Sequence, residues 1–160
     1  MTPKEVTSLV GQNTIIKSTR DALGGVEFVV SSAPKPYPAC KEYSLHFSQK
    51  DGLLAITCIG NKKPDSGTWE QLRTDFQEVQ KDLEVAYLTP DFVSLDGPKP
   101  EKRLGAGSVM LIAKWDDLDG GTVTLYGLAT EGVGGQIEIA YLFKGWFDYI
   151  SRVEAKDSTL

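Results

Sequence analysis

Two different periods of hydrophobic and polar residues alternate along this chain, and the switches between them outline its elements. Val26, Phe28 and Val30 alternate with Glu27 and Val29, and Tyr43, Leu45 and Phe47 alternate with Ser44, His46 and Ser48. A period of two puts each apolar set on one face of a strand. A shorter strand candidate, 14–17, precedes a Gly24-Gly25 turn. Lys50-Asp51-Gly52 carries the Asp-Gly hairpin signal and leads into 53–59, a run apolar on both faces that belongs in the centre of a sheet. Between these strands, the loop 33–41 holds Pro34, Pro36 and Pro38 and cannot pair internally.

The period then changes to that of a helix. Trp69, Leu72, Phe76, Val79 and Leu83 recur at spacings of three and four, with Glu70, Arg73, Asp75, Glu78, Lys81, Asp82 and Glu84 between them. This predicts one amphipathic helix over 68–86, opened by a Thr68–Gln71 capping box and ended by Pro90. The seam is too short for a free-standing coiled coil, so the helix must pack on a sheet. A short strand candidate at 92–95 and three longer ones at 108–115, 122–130 and 136–143 follow. Turn-rich separators at 116–121 and 131–135 make the last three an antiparallel meander. Trp146, Ile150 and Val153 then predict a short C-terminal helix over 145–153.

This order is not the strand–helix alternation of parallel α/β folds. It predicts an α+β domain in which an antiparallel sheet of about six to seven strands is packed by one long and one short helix. The order resembles that of the small photosystem extrinsic and Ran-binding proteins that share an α/β/α sandwich, a likeness of element order with no motif behind it.

Composition narrows the function classes. The chain has 160 residues, 41% hydrophobic and 24% charged, with a net charge of −5. That suits a single domain over 1–160 and is too apolar for a disordered chain. No apolar run approaches the roughly 18 residues of a bilayer span, so membrane insertion is not expected. The acidic balance argues against nucleic acid, whose phosphates are met by Lys and Arg. The first residues lack the basic-then-apolar pattern of a secretory signal, which leaves open a cytoplasmic chain or an exported mature one. Cys40 and Cys58 also leave two readings open: a disulfide formed in an oxidising compartment, or a buried core thiol and an unrelated loop thiol.

Candidate chemistry is sparse. Asp117-Leu118-Asp119-Gly120-Gly121 opens like a calcium loop, but the twelfth position is Leu128 where a Glu is required. His46 is the only histidine, and two separated cysteines cannot complete a zinc site, so neither metal nor cofactor is expected. Ser44 and Ser48 flank His46 as strand neighbours, without a nucleophile elbow. Gly105-Ala106-Gly107 and 132–135 lack the pattern of a phosphate loop, and Lys99, Lys102 and Arg103 form the one basic cluster. Converging carboxylates among the 22 acids are the remaining enzymatic route.

Charge and apolarity instead point to binding. Residues 1–114 hold 14 acids and 14 bases, whereas 115–160 hold eight acids and three bases. In the meander, alternation assigns Val109, Leu111, Ala113, Val123, Leu125, Ala129, Ile137, Ile139, Tyr141 and Phe143 to one face. Met110, Ile112, Tyr126, Leu128, Ala140 and Leu142 fall on the other, which is more apolar than a wet sheet face should be. The expected function is a non-catalytic domain of inhibitor, immunity, chaperone or assembly-factor type. It would recognise a basic partner protein through Asp116, Asp117, Asp119, Glu131 and Glu138 as steering acids and Tyr126 as anchor. The alternative is a carrier whose pocket for a small apolar ligand is lined by Met110, Ile112, Tyr126, Leu128 and Leu142.

Overall fold

A computed structural model describes residues 5–6, 8, 14–22, 24–64, 70–94, 109–129 and 134–157. Strands β1 (Ile16–Ala22), β2 (Gly25–Val30), β3 (Cys40–Ser48) and β4 (Gly52–Gly60) form consecutive hairpins, followed by the short β5 (Lys63–Pro64). Helix α1 (Glu70–Tyr87) and the short β6 (Phe92–Val93) lead to the meander β7 (Val109–Leu118), β8 (Gly121–Ala129) and β9 (Gly134–Leu142). Helix α2 (Trp146–Asp157) closes the chain. All pairings are antiparallel, in the order β1-β2-β3-β4-β9-β8-β7-β6, with β5 joining β9 off this path. The α+β class, the central place of the 53–59 run and the meander are as predicted. The strand count is higher, because 16–22 pairs with β2 along its length, with a register shift between Ile16 and Ser18, and β5 has no hydrophobic signal. The Thr68 cap, Trp69, Gly105–Gly107 and the Lys99, Lys102 and Arg103 cluster lie outside the described residues.

Register separates the two faces. Tyr43, Leu45 and Phe47 pair with Cys58, Ile56 and Leu53, and Cys58 and Ile56 pair in turn with Ile139 and Tyr141, so all project to one side. There Leu72, Phe76, Val79 and Leu83 of α1 join them in the main core, with Phe28, Trp115 and Leu125. Trp115 is fully buried, and its indole N–H donates to the Leu88 carbonyl at 2.9 Å, satisfying a group just past the end of α1.

The reverse face is covered at one end by α2. His46, which alternation sends away from α1, meets the rings of Trp146 and Tyr149. Trp146, Tyr149 and Val153 form the inward stripe, so the buried residue in this turn is Tyr149, and the predicted Ile150 stands beside it, half-buried. Gly25 permits this approach. A Cβ there would collide with the Phe47 carbonyl oxygen and sit 2.8 Å from the Tyr149 hydroxyl.

One element breaks the predicted alternation. The β7–β8 register shifts between Leu111 and Ala113. A bulge of this kind sends the residues before it to the opposite face. Val109 and Leu111 therefore pair with Leu128 and Tyr126 on the reverse face and stay exposed, whereas Met110 and Ile112 belong to the α1 side.

Candidate functional site

A cleft with chemical character lies on the α1 side, between that helix and the proline-rich loop. It has a volume of about 330 Å³ and is walled by Tyr37, Pro38 and Ala39, floored by Gly60 and Ile137, and edged by Asn61 and Lys63. From α1 it receives Asp75, Glu78 and Asp82. Their spacing of three and four places them on one stripe, beside the core-facing stripe of Leu72, Phe76, Val79 and Leu83. Gly60 must be glycine, since a Cβ would lie 2.8 Å from the Ile137 carbonyl oxygen.

The loop wall is held by covalent and polar ties. Cys40 and Cys58 form a disulfide with their Cα atoms 5.4 Å apart, which decides between the two readings of the cysteines. The Tyr43 hydroxyl accepts the Tyr37 backbone N–H at 2.7 Å, and the Tyr37 hydroxyl donates to Asp82 Oδ2 at 2.8 Å. Prolines on either side restrict the loop backbone further.

The cleft is electrostatically negative. Lys63 pairs with Asp75, and the Tyr37 phenol occupies Asp82 without cancelling its charge. Glu78 forms no hydrogen bond or ion pair with a described residue. Burial, the hydrogen bond to Asp82 and the charges of Asp82 and Glu78 push the Tyr37 phenol well above its ordinary value, so it remains a donor. Three carboxylates thus face one ammonium across a concave wall.

The acids singled out from sequence are not brought together. Successive turns of a meander lie at opposite ends, and the nine residues of β8 separate them by about 30 Å. Asp119 sits exposed at the β7–β8 end, in a two-residue turn with positive φ at both Asp119 and Gly120. At the same end Asp116 pairs with Lys114 at 2.8 Å and accepts from Thr122. Glu131 and the side chain of Asp117 lie outside the described residues. Glu138 is not a surface acid. It is buried on the reverse face, where it accepts the Tyr126 hydroxyl at 2.7 Å and the Gln136 amide. Tyr126 is half-buried, and burial followed by the Glu138 charge pushes its phenol upward.

The predicted ligand pocket does not assemble either. Met110 and Ile112 pack on the α1 side, while Tyr126, Leu128 and Leu142 belong to the reverse face. Alternation alone could not show this, because the bulge changes phase without changing composition. The acidic stripe of α1 was visible as spacing in the sequence, but nothing local indicated that the proline-rich loop would face it.

Among the described residues, no group of three or more His, Cys, Asp or Glu is arranged to hold a metal ion, and no helix is long and apolar enough to cross a membrane. Comparison of the chain with protein-family models, curated proteins and solved structures finds no match.

Proposed function

We propose that this chain is a non-catalytic binding domain that recognises a partner protein by seating a basic side chain in the cleft between α1 and the loop 33–41. The observation that carries this reading is the excess of carboxylate over ammonium on a concave wall that a disulfide holds in place. A guanidinium or ammonium entering there would find Glu78 without a partner among the described residues and Asp82 already aimed inward by Tyr37. The apolar floor of Leu72, Val79 and Ile137 would take the aliphatic stem of the same side chain. Compared with the acids of the meander turns, those of α1 share one stripe and one cavity, which favours the cleft over the sheet surface.

The non-catalytic part of the reading draws on titration behaviour. A general acid would be raised toward neutrality. Among the described residues, the carboxylates whose values move clearly, Glu27 and Asp51, move the other way. At Glu27, burial pulls upward, but hydrogen bonds from Arg20 and Ser44 and the Arg20 charge outweigh it. At Asp51, hydrogen bonds from Ser48 and Arg152 lower the value.

An NMR titration with acetyl-Gly-Arg-Gly-amide tests the proposal. Amide shifts should concentrate at Asn61, Lys63, Asp75, Glu78 and Asp82, weaken as salt is raised, and diminish in Glu78→Lys. Equal shifts from the glutamine counterpart, or shifts centred elsewhere, would refute the cleft as the recognition site.

A further inference from the structure

The only histidine of the chain is buried where a helix must dock. His46 lies on the reverse face of β3 at 7% exposure, and Trp146 and Tyr149 close over it edge-on, with ring centroids 5.2 and 5.6 Å away. Its Nε2 has no hydrogen-bond partner among the described residues. From β2, Glu27 is its cross-strand partner, with a carboxylate already occupied by Arg20 of β1 and Ser44 of β3. From β4 the partner is the uncharged Ala55. From α2 comes the Tyr149 phenol, and further out Arg152 pairs with Asp51 of the β3–β4 turn at 2.8 Å.

We propose that α2 is a pH-sensitive latch, docked on the sheet while His46 is neutral and released when the imidazole takes a proton. The imidazole sits beneath aromatic rings, and an imidazolium there would lack the water that stabilises it. Burial is the larger influence and lowers its proton affinity, with the Glu27 charge opposing. A histidine that binds its proton more weakly docked than free favours docking above its ordinary value of 6.5. That preference is lost as pH falls below this value, by up to about tenfold in the docked-to-released ratio per pH unit. Release would be local. Tyr149 is buried apart from the main core, and a detached helix of 12 residues does not hold its own structure.

An NMR pH titration of the full chain tests the latch, following the His46 ring protons, the amides of 146–157 and those of β8 and β9. The His46 midpoint should fall below the ordinary histidine value. The α2 amides should change in step with it, while the sheet amides stay in place. His46→Phe should hold α2 docked through the same range. The latch is overturned if α2 is unmoved through the His46 transition, if it moves equally in His46→Phe, or if His46 titrates at or above the ordinary value. If His46→Phe does not fold, Tyr149→Ala serves instead. It should free α2 at neutral pH and return the His46 midpoint to about 6.5; an unchanged midpoint in that variant likewise overturns the latch.

Discussion

Reducing the Cys40–Cys58 disulfide should cost this fold about 3 kcal/mol while leaving its sheet intact under native conditions. The bridge spans a sequence separation of 18. The chain-entropy relation then gives a loss of about 11 cal/mol/K from the unfolded ensemble, or about 3 kcal/mol at 25 °C. Native packing should change little, since Cys58 is 2% exposed within the main core and its thiol would stay there. For a domain of this size, 1 kcal/mol moves the melting temperature by about 2–4 °C, so the expected fall is about 6–12 °C. Urea unfolding followed by circular dichroism, with and without a phosphine reductant, measures the difference as a lower midpoint, with a somewhat steeper slope because the unfolded chain without the cross-link exposes more surface. A Cys40→Ala/Cys58→Ala variant should match the reduced protein to within about 1 kcal/mol, allowing for the small volume lost at Cys58. Two freely reactive thiols in protein prepared under oxidising conditions, or a midpoint unmoved by reductant, would refute the reasoning. Reduction should also loosen the cleft wall, because Tyr37, Pro38 and Ala39 lead directly into Cys40.

Two further outcomes follow from the packing and the charge network. Phe76→Ala, at a site 3% exposed in the core stripe of α1, should destabilise by about 3–5 kcal/mol in the same urea assay, through lost burial and a residual cavity. Glu27 is held below its ordinary value of 4.5, so its contribution to stability is present above that pH and fades as pH falls below it. Glu27→Gln should therefore flatten the stability profile in that acid range, read as a smaller difference between unfolding midpoints at about pH 5 and pH 3.

Much of the fold was legible in the chain because period-two and period-3.6 patterns respond to a nearby apolar interior. The β3–β4 hairpin, the long helix and the antiparallel meander needed no information beyond their own residues and turns. Placing the site was different. The meander acids look contiguous along the sequence, yet consecutive hairpin turns point to opposite ends of β8. Glu138 looks like any exposed acid, yet its neighbours Ile137 and Ile139 project to the α1 side and turn it toward Tyr126 and Gln136 on the reverse face. The bulge at Leu111–Ala113 left no compositional mark, and it moved Met110 and Ile112 out of the pocket that alternation had assigned them.

Local order was thus written in the residues themselves: which segments are strands, which is the long helix, and that α1 bears carboxylates at 75, 78 and 82. Tertiary structure decided what those carboxylates face, because a disulfide and a Tyr37–Asp82 hydrogen bond, joining positions 18 and 45 residues apart, bring the proline-rich loop against the helix. It also decided that the single histidine lies under α2. Strand alternation sends His46 to the reverse face, but only the return of the chain after β9 puts Trp146 and Tyr149 over it. Periodicity records which side of an element is turned away from water, and the closing of long loops chooses the element that covers it.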